Sequence, residues 1–230
     1  MSTRRHNRMK LRSLLRRRST VTLAIDDGPS TATPHLMAQL ERGGHRAVLF
    51  MLGCNIAERR DVAIDAVRRG FAIGNHSYDH AAFSRITLEE ARRQIAETER
   101  LIEAVYARAG VRRPGKWFRF PYLDTGGDAF EALQTLLGEF GFQRPPSVGL
   151  RLDEGDLGRL DWPTTVSTRD WALPPEAELR LTLREARAGD IIEFHDKPET
   201  VGGYVAALIE ELDAATLRGV TPGAGFGFLR

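Results

Sequence analysis

Cysteine is almost absent from this 230-residue chain, which contains only Cys54. A single cysteine excludes an internal disulfide and is compatible with a reducing compartment; we interpret it as a small core residue. Long hydrophobic runs are also missing, since no stretch approaches the roughly 18–20 apolar residues of a membrane-spanning helix. The chain nevertheless has 42% hydrophobic residues, enough to bury a large core. Its length and composition therefore predict one domain of the larger kind.

Acidic residues are missing from the first 20 positions, which carry eight lysines and arginines. This basic stretch resembles the start of a secretory signal, but no apolar segment of about 7–15 residues follows it. We interpret residues 1–19 as a flexible basic arm. Contact with nucleic acid or an anionic membrane and a mis-assigned start site are the alternatives. Because the remaining chain is net acidic, we expect no specific nucleic-acid partner. Because the basic stretch is not followed by the apolar segment of a signal peptide, we expect a cytoplasmic protein.

Strand-like and helix-like segments alternate from residue 20 onward. The predicted strands cover residues 21–25, 47–52, 71–73, 117–120, 162–166 and 190–194. The predicted helices cover residues 34–42, 58–69, 87–108, 128–140, 174–188 and 203–217. Thr87 and Glu90 form a capping-box signature at the start of the third helix, and 141–160 is loop-rich. Repeated βα units in one domain over 20–230 predict an α/β fold with a parallel sheet, open or closed into a barrel.

Polar side chains stand where the predicted strands end, which favours the closed barrel. They are Asp26-Asp27, Asn75-His76, Arg119 with Tyr122, Asp170-Trp171 and His195-Asp196. The carboxyl ends of parallel strands in a (β/α) barrel converge on one face, where active sites lie. We therefore expect these five groups to meet in one site.

Two adjacent acids, Asp26 and Asp27, follow the first apolar strand. Asp-Gly-Pro is also a common turn, but burying neighbouring carboxylates is costly without a cation. His76 and His80 are four residues apart, so one helical turn would place both on one side, although such a pair is often only a solvated face. One acid and two histidines make a three-ligand metal site with open coordination positions, and the second acid can act as a base on metal-bound water. The pattern predicts metal-assisted hydrolysis.

Five motifs follow one another along the chain in a recognisable order. They are Asp26-Asp-Gly-Pro29, His76-Ser-Tyr-Asp-His80, Arg119-Phe-Pro-Tyr122, Ser167-Thr-Arg-Asp170-Trp171 and Ile191-Ile-Glu-Phe-His195. In this order they resemble the polysaccharide deacetylase family, the group with the NodB homology domain that is also called carbohydrate esterase family 4. The resemblance covers residues 20 to about 200. It implies a single-domain, distorted (β/α) barrel with a divalent metal, usually zinc, with Co²⁺, Ni²⁺ or Mn²⁺ as alternatives.

The resemblance also assigns the central chemical roles. Asp27, His76 and His80 would be the metal ligands. Asp26 would be the base that deprotonates water, and His195 would be the acid that protonates the leaving amine. These roles agree with the requirements of amide hydrolysis, which needs a nucleophile, stabilisation of the oxyanion and a proton for a poor leaving group. His195 as a packed core histidine is the alternative.

Further residues would support this machinery in the family reading. Arg119 would orient and tune the base, and Asp170 would in turn hold Arg119. The backbone N–H of Tyr122 would help to stabilise the oxyanion. Trp171 would form a wall of the acyl pocket, with core packing as the alternative. Ser77 would lie close to the metal, behind its ligands.

Two positions depart from the family pattern. Ser167 stands where the fourth motif commonly begins with Asp, so a supporting carboxylate that tunes the catalytic histidine is expected to be missing. Glu193 stands where the fifth motif commonly has an apolar residue that lines the pocket for the acetyl methyl group. A carboxylate there would either point away through a strand shift or reshape the specificity.

The sequence thus predicts a metal-dependent hydrolase that removes N-acetyl groups from an amino-sugar glycan, oligosaccharide or glycoconjugate. Its partner would be an N-acetylated sugar. Two alternatives stay open. One is a hydrolase of a non-carbohydrate linear or cyclic amide on the same fold. The other is a catalytically weak glycan-binding module. The sequence does not indicate the oligomeric state.

Overall fold

The computed structural model describes residues 19–145 and 150–221. The predicted basic arm therefore lies outside the described residues, except for Ser19, which already belongs to the first strand. Positions 146–149 of the predicted 141–160 loop also lie outside them.

Strands and helices alternate throughout the described ranges. The strands are β1 (Ser19–Asp26), β2 (Val48–Met51), β3 (Ala72–Asn75), β4 (Val166–Ser167), β5 (Ile191–His195) and β6 (Leu217–Gly219). The α-helices are α1 (Thr33–Arg42), α2 (Gly53–Glu58), α3 (Arg60–Arg68), α4 (Leu88–Ala109), α5 (Phe130–Glu139), α6 (Glu176–Arg184) and α7 (Gly203–Ala214). Short 3₁₀ turns lie at Phe83–Arg85, Pro121–Leu123, Gly127–Ala129 and Asp170–Ala172.

The sheet closes on itself. Its strands run parallel in the order β3-β2-β1-β5-β4, with β6 beside the start of β1. Beyond β3, single-residue bridges join Asn75 to Phe118 and Phe118 to Asp161. The segment that starts at Asp161 then leads into β4, which pairs with β5. The predicted α/β fold, a distorted (β/α) barrel in a single domain, is confirmed.

Side-chain alternation along β1 separates two layers of the core. Leu23 and Ile25 face outward and belong to the large cluster that includes the surrounding helices. Ala24 lies in an inner cluster with Trp162. Since successive side chains of a strand point to opposite faces, Asp26 faces the interior of the barrel, like Ala24.

Two predicted strands are largely irregular. Residues 117–120 contribute only the isolated bridges of Phe118, because the next residue, Arg119, uses its carbonyl oxygen to bind the imidazole of His76. In the predicted strand 162–166, only the last position enters β4. The barrel is therefore closed by isolated bridges on this side, rather than by continuous strands.

The helix boundaries also differ in places. The helix predicted over 58–69 corresponds to α3, which begins at Arg60, because the backbone of Arg59 lies outside the helical region at φ −124° and ψ 47°. The short helix α2 before it was not predicted. The last predicted helix ends early at Ala214, and the left-handed backbone of Thr216 (φ 58°) turns the chain into β6. The predicted helix over 174–188 contracts to α6.

The longest helix, α4, begins as the capping signature predicts. The hydroxyl oxygen of Thr87 accepts the backbone N–H of Glu90, and the helix ends at Gly110 in the left-handed region (φ 68°). One face of α4 is buried and carries Gln94 beneath the site described below. Within the described ranges, no helix combines the length and the apolar character needed to cross a membrane.

Candidate active site

The reactive side chains lie together at the carboxyl end of the parallel strands, as the sequence predicts. Asp26 is the last residue of β1, His195 is the last residue of β5, and the two are neighbours in the strand register. Asp27 directly follows β1 and His76 directly follows β3. This edge of a parallel barrel is where active sites are built.

Asp27, His76 and His80 form one cluster. Nε2 of His80 lies 3.2 Å from Oδ1 of Asp27, and Nε2 of His76 lies 3.6 Å from the same oxygen. Nδ1 of His76 is 2.9 Å from the carbonyl oxygen of Arg119. Because a carbonyl oxygen only accepts, Nδ1 carries the proton, and the lone pair of His76 is on Nε2, the nitrogen that faces Asp27.

This donor set fits a divalent cation. Burial lowers the pKa of His76 to about 3, so its imidazole is neutral, as a metal ligand must be. Oδ1 of Asp27 is buried and has no hydrogen-bond partner within the described part of the chain. A lone pair that faces an unpartnered buried carboxylate oxygen is costly unless a cation lies between them. One carboxylate and two imidazoles match the ligand types of zinc.

The stretch from His76 to His80 is an irregular turn, and the helical turn suggested by the spacing of the two histidines is wrong. Ser77 and His80 adopt left-handed backbone conformations (φ 69° and 68°). The N–H of Ser77 donates to the side-chain oxygen of Asn75, and the N–H of His80 donates to the Ser77 hydroxyl. Ser77 therefore shapes the turn that aims His80, and strain of this kind is typical of functional sites.

The loop after β1 is fixed by a buried carboxylate, Asp196. Its oxygens accept hydrogen bonds from the hydroxyls of Ser30 (2.8 Å) and Thr33 (2.5 Å). A Cβ atom at Gly28 would lie only 2.7 Å from Oδ2 of Asp196, so this position requires glycine. The same loop holds Asp27 in the left-handed region at φ 72°. The Asp-Asp-Gly-Pro motif therefore has the local role of presenting one acid in a strained conformation.

Asp26 has different hydrogen-bond partners from the neighbouring Asp27. Oδ2 of Asp26 accepts a hydrogen bond of 2.8 Å from Nε of Arg119, while Oδ1 is buried with no hydrogen-bond partner in the described residues. Burial raises the pKa of Asp26 to about 6, although the charges of Arg119 and His195 oppose the increase. The two adjacent acids thus face different groups, as their predicted roles require.

Arg119 is fully buried, and all five of its N–H donors have acceptors. Nε binds Asp26, and Nη1 donates to the carbonyl oxygens of Trp162 (3.3 Å) and Pro163 (2.8 Å). Nη2 donates to the hydroxyl of Thr164 and, at 3.0 Å, to Oε1 of Glu193. The ion-pair partners of Arg119 in the described chain are therefore Asp26 and Glu193.

The predicted role of Asp170 in holding Arg119 is wrong. Oδ1 of Asp170 lies 2.8 Å from Nδ1 of His195, and Oδ2 accepts the backbone N–H of His195 at 3.0 Å. The hydroxyl of Thr168 donates to Oδ1 of Asp170. Asp170 comes from the turn after β4, which lies beside β5, so it reaches the end of β5 and not the interior where Arg119 lies.

The contact with Asp170 determines which nitrogen of His195 can react. The Nδ1–H donates to Asp170, which leaves Nε2 as the nitrogen available to a substrate. Burial alone would lower the pKa of His195, but the hydrogen bond and the charge of Asp170 outweigh it and raise the pKa. The carboxylate that was expected to be missing because of Ser167 is therefore present, since Asp170 supplies it.

The second departure from the family pattern, Glu193, also has a defined partner set. Oε1 of Glu193 binds Arg119, and Oε2 accepts a hydrogen bond of 2.5 Å from the hydroxyl of Ser167. Glu193 and Ser167 are register neighbours on β5 and β4. The two departures are thus in direct contact with each other. No strand shift turns Glu193 away from the site.

Two aromatic residues border the site and are largely exposed. Tyr122 is 70% exposed, and its ring meets the ring of His80 edge-on, with 4.3 Å between the two ring centroids. Trp171 is 54% exposed and directly follows Asp170. The core-packing alternative for Trp171 is therefore wrong. Beside His80 and Tyr122 opens a groove of about 630 Å³. It is lined by His80, Ala81, Ala82, Ser84, Arg85, Tyr122 and Asp124.

Some residues of the site are not recognisable from their motifs. Gln94 of α4 accepts the backbone N–H groups of Tyr78 and Asp79 and so supports the histidine turn from below. Nζ of Lys197 lies 3.5 Å from Oδ2 of Asp27. A polar residue on the buried face of an otherwise apolar helix is the one signal that could have identified Gln94, and nothing comparable distinguishes Lys197.

A parallel α/β barrel with this carboxylate–histidine cluster belongs to the class of metal-dependent hydrolases. Residues 16–138 match the family model described as polysaccharide deacetylase. The chain belongs to this family, as its motifs predict.

Named relatives agree with this assignment. The chain is 26% identical over 211 residues to a peptidoglycan-N-acetylglucosamine deacetylase of Bacillus cereus, with 91% of this chain and 66% of that protein covered. It is 29% identical to a chitooligosaccharide deacetylase of Azorhizobium caulinodans, covering 77% and 74% of the two chains. The chain thus spans about two thirds and three quarters of these relatives. A family 4 carbohydrate esterase of Streptomyces lividans shares the fold, with a TM-score of 0.71, 22% identity, and coverage of 88% and 92%.

Proposed function

We propose that this protein is a zinc-dependent hydrolase that removes N-acetyl groups from an amino-sugar glycan, oligosaccharide or glycoconjugate. The observation that carries the proposal is the division of the acid pair. Asp27 faces two imidazole nitrogens at 3.2 and 3.6 Å, whereas Asp26 is bound by Arg119 and keeps one oxygen unpartnered in the described chain. One acid is arranged to bind a cation and its neighbour to accept a proton.

Asp26 provides the base. Its free Oδ1 takes a proton from a water molecule as that water attacks the acetyl carbon. A divalent cation held by Asp27, His76 and His80 supplies Lewis acidity, which stabilises charge on the acyl oxygen and makes water easier to deprotonate. The backbone N–H of Tyr122 is a second donor for that oxygen in this scheme.

His195 provides the acid. With Nδ1 held by Asp170, the proton on Nε2 is the one delivered to the amide nitrogen as the C–N bond breaks. The products are acetate and a free amino sugar. The hydrogen bond and the charge of Asp170 raise the pKa of His195, which favours the protonated imidazole that this step needs. Asp26 and His195 are register neighbours, so base and acid lie at the same level of the barrel and can serve the same acetyl group.

An acetylated amino sugar suits the surroundings of this chemistry. The groove of about 630 Å³ beside His80 is open and large enough for sugar units. The exposed ring of Tyr122 offers rigid, amphipathic contact area in the wall of this groove. Trp171 exposes a second such ring next to Asp170. The relatives named above act on peptidoglycan N-acetylglucosamine and on chito-oligosaccharides, which supports the same substrate class here.

The proposal is tested with a substrate panel, in which acetate release is measured for the acetylated substrates and ring opening for a cyclic amide. The panel contains N-acetylglucosamine oligosaccharides, peptidoglycan fragments, an O-acetylated xylan oligosaccharide and a cyclic amide, each with protein loaded with zinc, cobalt, nickel or manganese. We expect release from an N-acetylated sugar, and we expect it to vanish in chelator-treated protein and in His195→Gln. Hydrolysis of the cyclic amide alone would favour the non-carbohydrate alternative. Oligosaccharide binding without release would favour a binding module.

A further inference from the structure

We infer that Glu193, held by Ser167, is a positioning residue that fixes Arg119 against the base of the reaction. The inference rests on the proposed function for its catalytic consequence and goes beyond it in assigning Glu193 a role. It also accounts for the two residues that depart from the family pattern, because Ser167 and Glu193 bind each other and the same arginine.

The strand geometry places Glu193 inside the barrel. Ile191 belongs to the inner cluster, and Ile192 and Phe194 belong to the outer one. By alternation, Glu193 and His195 point inward with Ile191. In the register with β1, His195 pairs with the last residue of that strand, and Glu193 pairs with the residue two positions earlier. Glu193 therefore lies one layer below the base and the acid.

The guanidinium of Arg119 connects this lower layer to the base. Its N–H groups form a rigid planar fork, so binding of Nη2 by Glu193 at 3.0 Å constrains where Nε can lie. Nε is the atom that binds Oδ2 of Asp26, at 2.8 Å. Without Glu193, Nη2 would keep only the neutral hydroxyl of Thr164. The lower side of the guanidinium would then be held only by neutral acceptors, this hydroxyl and the two carbonyl oxygens that accept from Nη1, and its position against Asp26 would be less strictly fixed.

Both oxygens of Glu193 are already occupied, one by Arg119 and the other by Ser167 at 2.5 Å. The residue is 7% exposed, and a buried carboxyl group needs such partners to replace its lost hydration. Oxygens bound in this way do not line a pocket for an acyl group. A second cation between Asp26, Glu193 and His195, whose potential ligand atoms lie within 4.8 Å of each other, is disfavoured because the Arg119 guanidinium already binds both carboxylates.

The decisive variants move the carboxylate between neighbouring strands. Glu193→Leu removes it. Ser167→Asp combined with Glu193→Leu returns a carboxylate from the register partner on β4. Glu193→Gln keeps the shape and one acceptor oxygen, and it serves if Glu193→Leu fails to fold. Glu199→Gln, an exposed position in the loop after β5, is the matched control for loss of one negative charge.

We expect Glu193→Leu to lower kcat about 100-fold, the size of effect that follows from a misplaced catalytic group. KM should change less than about threefold, since substrate binding is not the affected step. The kcat of the double variant should be at least about tenfold higher than that of Glu193→Leu. The kcat of Glu193→Gln should lie between those of the double variant and the wild type. Zinc affinity should stay at the wild-type value in every variant, and Glu199→Gln should match the wild type throughout.

Crystal structures of the same proteins separate this inference from the proposed function. Arg119 Nε should leave Asp26 in Glu193→Leu and return to it in the double variant, whether or not acetylated sugars are the substrate. An intact contact between Arg119 and Asp26 in Glu193→Leu would overturn the inference. So would wild-type or higher acetate release by Glu193→Leu, which is the result expected if residue 193 lined the acyl pocket. Absence of acetate release by the wild type would refute the function alone.

Discussion

At the scale of single residues, the chemistry depends on which atom of each side chain is already bound. Arg119 binds one oxygen of Asp26 and leaves the other without a partner in the described chain. Asp170 binds Nδ1 of His195 and leaves Nε2 for the substrate. In both pairs a buried, fixed charge selects the atom that is free to exchange a proton, which is how general acids and bases are oriented.

The pH dependence of activity should report the pair of Asp170 and His195. His195 acts as an acid, so it must be protonated, and Asp170 raises its pKa. Asp170→Asn removes the charge and lowers that pKa, so the alkaline limb of the kcat/KM profile should move to lower pH. Asp128→Asn, at an exposed position, is the control. An alkaline limb that does not move in Asp170→Asn would show that another group is the acid.

The motifs identify site residues better than they identify contacts between them. Asp26 and Asp27 could be recognised from sequence because an apolar strand leads directly into both acids, and burying neighbouring carboxylates is costly without a cation. His80 could be recognised from its spacing to His76 and from the order of the motifs. The partner of Asp170 could not, because it depends on the register between β4 and β5, and register is a long-range property. The same register brings Ser167 to Glu193, which no local pattern indicates.

At the scale of elements, helix α4 is the support of the histidine turn. Gln94 accepts the N–H groups of Tyr78 (2.8 Å) and Asp79 (3.1 Å), and its amide nitrogen donates to the Asp79 carboxylate at 2.7 Å. The turn contains two residues with left-handed backbone. Such strain persists only where surrounding contacts enforce it, so the helix holds the turn in the conformation that its ligand geometry needs.

Gln94→Leu should therefore weaken metal binding without touching a ligand. It leaves two N–H groups of the turn without acceptors, at a cost of roughly 1–3 kcal/mol in the free energy of unfolding. Zinc affinity should fall about 10–100-fold, which is typical when a residue that supports a metal ligand is removed. Calorimetry measures the zinc affinity, and chemical denaturation measures the free energy of unfolding. Arg100→Ala, on the exposed face of α4, is the control. Unchanged zinc affinity in a destabilised Gln94→Leu would show that the turn does not need this support.

The loop after β1 gives a second prediction at this scale. Gly28→Ala puts a Cβ atom 2.7 Å from Asp196 Oδ2, so the loop must shift or lose its bonds to that carboxylate. We expect a loss of about 1–3 kcal/mol, typical of overpacking, together with weaker zinc binding, because Asp27 moves with the loop. Gly155→Ala, with open space around it, should change neither quantity. Wild-type stability and affinity of Gly28→Ala would contradict this account of the motif.

Local signals predict most elements but not their limits. The capping signature at Thr87 places the start of α4 correctly. The strand predicted over 117–120 reduces to the bridges of Phe118, because tertiary contacts of Arg119 override the local pattern. The short strand β6 could not be anticipated, since its three residues are stabilised by long-range contacts. They pair with the start of β1, and they bind the segment before β2 through Arg46 and Gly44.

At the scale of the whole molecule, the barrel holds the ligands on separate segments, so metal binding and folding are linked. A cation that binds only the folded state adds about 2.7 kcal/mol of stability at a free concentration 100 times its Kd. We expect zinc to raise the Tm and a chelator to reverse the increase. Asp27→Ala should lose the zinc-dependent shift, and Asp61→Ala, an exposed acid, should keep it. A Tm that is independent of zinc in the wild type would contradict the metal site.

The architecture as a whole could be predicted because reactive residues recur at successive strand ends, a pattern that a barrel explains. The closure of the sheet through single bridges at Phe118 and Asp161 could not. Such bridges contribute little to a local sequence pattern, and they depend on contacts between segments far apart in the chain.

The central claim is that two adjacent acids have separate tasks, and acetate release per bound zinc in Asp26→Asn and Asp27→Asn tests it most directly. Asp26→Asn should bind one zinc per chain and turn over at least about 100-fold more slowly than the wild type, since it lacks only the base. Asp27→Asn should lose activity together with tight zinc binding. Wild-type turnover by zinc-loaded Asp26→Asn, or wild-type zinc affinity in Asp27→Asn, would contradict the account.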